Sequence, residues 1–316
     1  MTHAYFGIDV SKATLDLGDE QGHLGRFKQT PGERKRLVCR LQQHQPTLVA
    51  VEATGGYERP IVEALLEAGI PVAVVQPFCV HHYAKSLKLR AKTDAIDAQL
   101  LARYARANQP RPAEQPDPES RRLRALRDRR DQVIEDRVRE QNRLESCPDA
   151  EVQREIKRNI KRLQNQEAKL DEQIDQCIEQ CPALHERAQV LGAVKGVGRT
   201  VTATLLAYLP ELGRGNRQQI ASLVGVAPHP RESGRWKGRR RISGGRAQVR
   251  RMLYMAAVTA ARHDTVLHDL YRRLLEAGKE KKVALIAVAR KLLVRLNTLM
   301  QPFHQQTTPP ARANAT

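Results

Sequence analysis

The sequence predicts an α/β domain at the N-terminus, a helical coiled-coil region in the middle and a mostly α-helical domain at the C-terminus. Up to residue 110, apolar runs of strand length alternate with amphipathic helical patterns. A heptad-like apolar stripe with charged flanks follows. Runs rich in Ala, Leu and Val then begin near residue 186. We therefore divide the chain into residues 1–110, 111–185 and 186–304, with a disordered tail at 305–316.

The first domain is expected to contain five strands and four helices. The strands are expected at residues 4–9, 13–17, 24–28, 48–51 and 71–75. Three strands, a helix, then strand, helix, strand and helix is the order of the RNase H-like fold. A flavodoxin-like sheet would also fit the alternation. It would not explain why acidic residues fall at the strand ends, and no glycine-rich phosphate loop follows the first strand.

Four acidic residues of this domain form the candidate catalytic site. Asp9 and Glu52 each terminate an apolar run of strand length, so each carboxylate is expected at an edge of the sheet. Asp94 and Asp97 are three apart on a predicted helix and therefore share a face. Four carboxylates gathered in one place repel one another unless cations lie between them. Oxygen ligands select Mg²⁺, with Mn²⁺ as the alternative, which predicts a two-metal site that cuts phosphodiesters.

The middle region is predicted to be a pair of antiparallel helices beyond a proline-rich linker. A turn at Cys147-Pro148-Asp149 separates the two helices. The second helix carries an apolar seam at spacings of three, four and seven: Ile156, Ile160, Leu163, Leu170, Ile174 and Cys177. A narrow stripe with charged flanks favours pairing with another subunit. The alternative is a helical hairpin packed on its own protein.

The C-terminal domain begins with a turn whose shape is that of a helix-hairpin-helix element. In Val194-Lys195-Gly196-Val197-Gly198, the glycines would let the backbone approach a phosphate, and the next helix would offer free amides to it. Lys195, Gly196 and Gly198 are therefore candidate nucleic-acid contacts. A plain helical turn is the competing interpretation.

A strongly basic tract from Arg231 to Arg241 surrounds Ser233. Cations there would stabilise a serine alkoxide and the charge that develops on a phosphorus centre. The residues alone favour a solvated DNA-binding loop over a catalytic one, and they do not single out Ser233 over Ser243. The candidate contacts to nucleic acid in and beside this tract are Arg231, Arg235, Trp236, Lys237, Arg239, Arg240, Arg241 and Arg246.

The net charge indicates a polyanionic partner. The chain carries a formal charge of +19 with a pI near 10.1, and residues 186–316 account for +17 of it. A basic helix on a membrane surface is the competing interpretation, but there is no long uncharged apolar run, signal peptide or lipidation motif. We expect a cytoplasmic bacterial protein that joins the nucleoid when it meets DNA, with its five cysteines as reduced thiols.

Motifs in both halves of the chain resemble those of one family. The first half contains Gly7-Ile8-Asp9-Val10-Ser11-Lys12, Val51-Glu52-Ala53-Thr54-Gly55-Gly56-Tyr57 and Lys92-Thr93-Asp94-Ala95-Ile96-Asp97-Ala98. The second half contains Gly196-Val197-Gly198, Leu223-Val224-Gly225-Val226-Ala227-Pro228 and Glu232-Ser233-Gly234. In this order they resemble the signatures of the DEDD transposases of the IS110 insertion-sequence family, relatives of the Piv DNA invertases.

The resemblance implies a RuvC-like N-terminal domain joined through a coiled coil to a transposase domain. It implies that Asp9, Glu52, Asp94 and Asp97 bind Mg²⁺ and that Ser233 attacks the DNA strand to give a covalent phosphoserine link. It also implies guidance by a bridge RNA, a structured noncoding RNA whose loops pair with donor and target DNA. Because recombination holds four strand ends, we expect a dimer of dimers in which the first and last domains meet, within or across protomers.

Two alternatives remain at the level of the sequence. One is a Holliday-junction-type metal nuclease, in which the acids activate water and Ser233 is only a phosphate contact. The other is a non-catalytic DNA- or RNA-binding protein whose acids are structural, with Asp94 a helix cap.

Overall fold

A computed structural model describes residues 4–87, 94–114, 117–229, 232–233, 236–237 and 241–305. The chain divides into two compact units, Met1–Pro116 and Asp117–Thr316. The second unit includes both the predicted coiled-coil region and the predicted serine-bearing region. Within the described residues, no helix is both long and apolar enough to cross a membrane.

The first unit is built on a five-stranded sheet. Its strands are β1 (Tyr5–Val10), β2 (Thr14–Asp19), β3 (His23–Lys28), β4 (Leu48–Glu52) and β5 (Val72–Val75). They lie in the order β3-β2-β1-β4-β5. Strand β2 is antiparallel to β1 and β3, whereas β4 is parallel to β1 and β5. The predicted three-stranded meander and the α/β alternation after it are confirmed.

Helices cover both faces of this sheet. They are α1 (Pro31–His44), α2 (Arg59–Glu67), α3 (Pro77–Ser86) and α4 (Asp94–Asn108). Successive residues of a strand point to opposite faces. Ile8 and Val51 therefore pack with side chains of α1 and α2, whereas Ala50 and Val75 pack with those of α3 and α4. The central strands are buried on both faces, which explains why they read as continuous apolar runs.

The second unit begins with a long helical hairpin. Helices α5 (Pro118–Ser146) and α6 (Ala150–Gln180) start at Asp117 and Asp149, whose carboxylates accept hydrogen bonds from backbone amides of the first turns. The two helices pack on each other through Val133, Leu163 and Leu170. The predicted seam thus has a partner inside its own chain, and the base of the hairpin joins the main core of the unit through Ile174 and Cys177.

The remainder of the second unit is a helical bundle. Its helices are α7 (Pro182–Gly192), α8 (Arg199–Tyr208), α9 (Arg217–Val224), α10 (Ala247–His263), α11 (Thr265–Glu276), α12 (Lys281–Met300) and α13 (Pro302–Gln305). Helix α8 is buried on every side from Val201 to Tyr208, as its Ala, Thr and Leu content allows. The predicted tail lies outside the described residues beyond Gln305.

Four two-residue strands lie between α9 and α10. They are β6 (Pro228–His229), β7 (Glu232–Ser233), β8 (Trp236–Lys237) and β9 (Arg241–Ile242). Strand β6 pairs with β9 and β7 pairs with β8, both antiparallel. The tract that we predicted as a solvated loop therefore contains paired strands.

Candidate functional site

Asp9 and Glu52 end adjacent strands of the sheet. Strands β1 and β4 are parallel and pair Gly7 with Ala50 and Ile8 with Val51. One residue further along each strand, Asp9 and Glu52 therefore stand side by side, with their side chains on the face that carries Ala50. Both residues are half-buried. The register thus places these two acids next to each other at the carboxyl ends of two parallel strands.

Helix α4 lies directly on this face because glycines make room for it. A Cβ atom on Gly7 would lie 2.1 Å from the carbonyl oxygen of Ala98 and 2.6 Å from the amide nitrogen of Ala102. A Cβ atom on Gly18 of β2 would lie 2.9 Å from the amide nitrogen of Gln99. Backbone meets backbone here, so no larger residue fits without moving the helix.

The direction of α4 brings its first turn toward the acidic edge. Arg106, in the last turn of the helix, donates a hydrogen bond to Glu20, which lies just beyond the end of β2 that is level with the start of β1. Helix α4 therefore runs antiparallel to β1, and its N-terminal end lies toward the Asp9 end of the strand. Asp97 is half-buried in this first turn. Asp94 is the first residue of the helix, and its side chain lies outside the described residues.

The donor chemistry of this edge suits a hard divalent cation. Asp9, Glu52 and Asp97 offer carboxylate oxygens, the ligands that Mg²⁺ and Mn²⁺ prefer. Among the side chains that the structure describes, no three of His, Cys, Asp and Glu are gathered tightly enough to enclose a metal ion. The predicted set of four also includes Asp94, whose side chain lies outside the described residues.

A fifth acid, which the sequence analysis missed, lies beside Asp9. Asp16 of β2 is directly opposite Asp9 in the antiparallel pairing of β1 and β2. It is only 2% exposed and accepts hydrogen bonds from Nε of Arg26, at 2.9 and 3.1 Å, and from the ring of His23 at 3.0 Å. The signal in the sequence was an acid at an inward position between Leu15 and Leu17, two fully buried leucines.

Ser233 is the last residue of the first strand of a β-hairpin, next to its connection. It is paired with Trp236, and Glu232 is paired with Lys237, so residues 234 and 235 connect the two strands. The side chains of Ser233, Trp236 and Lys237 lie outside the described residues, as do Arg231, Arg235, Arg239 and Arg240 entirely. Arg241, in the outer strand pair, is exposed.

The two ends of the segment that contains both strand pairs are anchored to the bundle. Gly225 and Gly245 both have positive φ angles, of 77° and 69°, and a Cβ atom on either would lie 2.3 Å from the backbone of the other turn. Arg246 donates hydrogen bonds to both carboxylate oxygens of Glu211, at 2.5 and 2.6 Å, and to the carbonyl oxygen of Tyr208. The guanidinium group of Arg246, which we predicted to contact nucleic acid, is thus engaged with the protein.

The pair between Glu211 and Arg246 also sets the protonation of the acid. Burial by itself would raise the pKa of Glu211, but the hydrogen bonds and charge of Arg246 outweigh it and lower the pKa below its ordinary value. The carboxylate therefore stays ionised at neutral pH and holds the arginine in place.

The turn at Lys195, Gly196 and Gly198 combines a packing role with an exposed edge. Gly196 has a φ angle of 91°, and a Cβ atom on it would lie 2.7 Å from the carbonyl oxygen of Ala256 in α10. This glycine is required for the close approach of α10. Lys195 and Gly198 are exposed, and Gly198 begins α8 without a side-chain cap. These two residues remain the candidates for a phosphate contact.

Comparison with known proteins identifies two matching regions. Residues 6–153 match a DEDD transposase family of IS110 type, and residues 188–272 match the family described as Transposase IS116/IS110/IS902. The chain is 32% identical to the pilin gene-inverting protein of Moraxella bovis over 308 residues, which are 93% of this chain and 94% of that protein.

Two further relatives extend the comparison. The pilin gene-inverting protein of Moraxella lacunata is 31% identical over 308 residues, again 93% of this chain and 94% of that protein. An uncharacterized 44.8 kDa protein of insertion element IS116 from Streptomyces clavuligerus is 31% identical over 108 residues, 34% of this chain and 27% of that protein. The likeness to the inverting proteins therefore spans both units.

Proposed function

Because this chain belongs to the IS110 transposase family and is related to the pilin gene-inverting proteins over nearly its whole length, we propose that it is a site-specific DNA recombinase that cuts and rejoins the ends of an insertion sequence. The observation that carries the proposal is the adjacency of Asp9 and Glu52 at the ends of two parallel strands, with the first turn of α4 directed toward them. A purely structural role would not require acids where the ends of these two strands meet the first turn of α4.

The first unit is proposed to be an RNase H-like domain of the RuvC type. The strand order β3-β2-β1-β4-β5, with β2 antiparallel, supports this assignment. Asp9, Glu52, Asp94 and Asp97 would hold Mg²⁺, or Mn²⁺ in its place, and the bound ion would supply a Lewis acid for a phosphate oxygen. The four side chains would also orient that phosphate at the edge of the sheet.

Ser233 is proposed to be the nucleophile. Its hydroxyl would lose a proton, a bond would form between Oγ and phosphorus, and the bond from phosphorus to the leaving deoxyribose oxygen would break. The leaving oxygen would take up a proton, and the phosphodiester energy would be kept in the phosphoserine link. Rejoining would reverse these steps with a different strand end. The anchoring of both ends of this segment through Gly225, Gly245 and Arg246 supports this role, since a nucleophile must be held in place.

The second unit is proposed to bind the nucleic acid. Its excess of positive charge suits phosphate backbones, and Lys195, Gly198 and Arg241 are exposed there. Guidance by a structured bridge RNA and assembly as a dimer of dimers are part of the same proposal, and the family resemblance supports both. The hairpin of α5 and α6 would provide the contact between protomers, because Val138 and Val152 remain 44% and 46% exposed along it.

A recombination assay in bacterial cells tests the proposal. The gene, with its flanking noncoding DNA, is placed on one plasmid, and new junctions with a second plasmid are detected by amplification. Asp9→Asn, Glu52→Gln and Ser233→Ala should each abolish junctions. The matched controls Asp269→Asn, Glu63→Gln and Ser243→Ala replace exposed residues and should leave them unchanged.

The same variants separate the alternatives. A Ser233→Ala protein that still cuts DNA would support the metal nuclease. Wild-type recombination by Glu52→Gln would support the non-catalytic binding protein. Purified protein that carries only random cellular RNA, with none of defined length, would count against a dedicated guide.

A further inference from the structure

Four charged side chains form a row across the sheet. Arg26 of β3 pairs with Asp16 of β2, Asp16 pairs with Asp9 of β1, and Asp9 stands beside Glu52 of β4. Residues directly opposite each other on paired strands point to the same face. The side chains of the row therefore share the face that α4 covers, which is also the face of Gly7 and Gly18.

The position of Asp16 is costly for the fold unless it serves the site. A second carboxylate directly opposite Asp9 is unfavourable, and burial of a carboxylate adds a further cost. The structure offsets that cost with hydrogen bonds to both oxygens of Asp16 from Arg26 and one from His23. A neutral residue at position 16 would avoid both the repulsion from Asp9 and the cost of burying a carboxylate. The acid is therefore better explained by the side chain that it holds in place.

What Asp16 holds is an arginine at the acidic edge. The single Nε–H group of Arg26 donates a bifurcated hydrogen bond to the two oxygens of Asp16, which ties the guanidinium group to this acid. The side chain of Arg26 is nonetheless 54% exposed. An oriented guanidinium group that reaches solvent beside carboxylates is suited to a phosphate that those carboxylates also approach.

We propose that Arg26 contacts a phosphate of the DNA strand next to the one that is cut, and that Asp16 is the positioning residue for Arg26. This inference rests on the proposed function, because it assumes that DNA is bound at the acidic edge. The row of acids would thus end in a cation that binds the DNA substrate. Neither Arg26 nor Asp16 is one of the four acids proposed to hold Mg²⁺.

The same unit contains a matched control. Arg106 donates a 2.5 Å hydrogen bond to Glu20 and is 67% exposed, so it resembles Arg26 in exposure and in pairing with an acid. It lies in the last turn of α4, away from the acidic edge. Arg106→Ala therefore removes a comparable ion pair without touching the proposed contact.

The test measures the coupling between Arg26 and single phosphates. DNA that the wild-type protein cuts is synthesised with one neutral methylphosphonate at each position around the cut, and binding is followed by fluorescence anisotropy with Ca²⁺ in place of Mg²⁺. At one position, the methylphosphonate should weaken wild-type binding roughly 10- to 100-fold, the range of a charge-assisted hydrogen bond. Arg26→Ala should show the same loss on unmodified DNA and no further loss at that position.

Companion variants separate positioning from folding. Asp16→Asn should weaken the coupling, Arg26→Lys should retain part of it, and Arg106→Ala should behave as the wild type. Because Arg26→Ala leaves a buried acid with one partner fewer, the double variant Asp16→Asn/Arg26→Ala is included and should match Arg26→Ala. Mn²⁺ affinity, measured by electron paramagnetic resonance, should be unchanged in all of them.

The outcomes distinguish this inference from the function on which it rests. If the wild-type protein, supplied with the RNA that co-purifies with it, cuts no DNA, the proposed function fails and the inference fails with it. If the wild-type protein cuts DNA but no phosphate couples to Arg26, only the inference is overturned. If Asp16→Asn alone loses Mn²⁺, Asp16 is a metal ligand and its positioning role is refuted.

Discussion

The substitution Gly7→Ala tests how the acidic edge is assembled. The added methyl group would lie 2.1 Å from the carbonyl oxygen of Ala98, and 2.6 Å from both the amide nitrogen of Ala102 and Cβ of Leu101. Ordinary carbon contacts need about 3.5 Å, so α4 must retreat from β1 by more than 1 Å. Because the contacted atoms are mainly backbone, rotamer changes cannot relieve the overlap. We expect the free energy of unfolding to fall by about 3 kcal/mol or more, the upper end of the range for overpacked cores.

The functional consequence follows from what α4 carries. Retreat of the helix separates Asp94 and Asp97 from Asp9 and Glu52, so Mn²⁺ affinity should fall at least about tenfold. Hydrogen exchange of the β1 amides, followed by mass spectrometry, measures the local stability, and electron paramagnetic resonance measures bound Mn²⁺.

Two further glycines calibrate this experiment. Gly18→Ala places its Cβ atom 2.9 Å or more from every neighbour and should have a smaller effect. Gly22→Ala meets nothing within 4 Å and should behave as the wild type. A Gly7→Ala protein with unchanged hydrogen exchange and unchanged Mn²⁺ affinity would refute the proposed assembly.

The remaining predictions concern the second unit. Gly196→Ala should destabilise this unit strongly, because the new Cβ atom would lie 2.7 Å from the carbonyl oxygen of Ala256 in α10. Gly198→Ala, whose Cβ atom meets nothing within 4 Å, should fold normally. Equal melting temperatures for the two variants would contradict the packing role of Gly196. The pair of Glu211 with Arg246 should stabilise the fold fully above pH 4.5, the ordinary pKa of a glutamate. This stabilisation should disappear as the pH falls through the lower pKa that Glu211 has in the folded protein. In urea titrations at different pH values, Glu211→Gln should lack this part of the loss of stability in acid. Asn297→Ala should lower the free energy of unfolding, measured in urea, by about 3 kcal/mol. The buried side-chain amide accepts a hydrogen bond from the backbone of Gly213 and donates one to the backbone of Gly215. A loss below about 1 kcal/mol would show that water replaces the amide.

The sequence predicted the acidic edge because its signals are local. Asp9 and Glu52 end continuous apolar runs, and buried parallel strands produce such runs. Asp16 was missed because its role depends on register: the acid becomes informative only once β2 is known to pair Asp16 with Asp9. Gly7 was missed for a similar reason, since a strand glycine does not reveal which helix approaches it.

The middle and the C-terminal half show the same limit. The apolar seam of α6 has a clear heptad period, but the period does not identify the helix that packs against it. In the structure, Leu163 packs against α5 of its own chain. The hairpin around Ser233 could not be predicted because a tract dominated by arginine and glycine has no alternation of apolar residues. Arg246 resembled another DNA-contacting cation, and its partner Glu211 lies 35 positions away.

The most direct test of the central claim is the covalent state of Ser233. Purified protein, with the RNA that co-purifies with it, is incubated with its DNA and Mg²⁺, denatured and digested, and the peptide that contains residue 233 is analysed by mass spectrometry. We expect a nucleotide attached to Ser233 in the wild type and in Ser243→Ala, and none in Glu52→Gln. Cut DNA with no nucleotide on any serine would contradict the proposed mechanism.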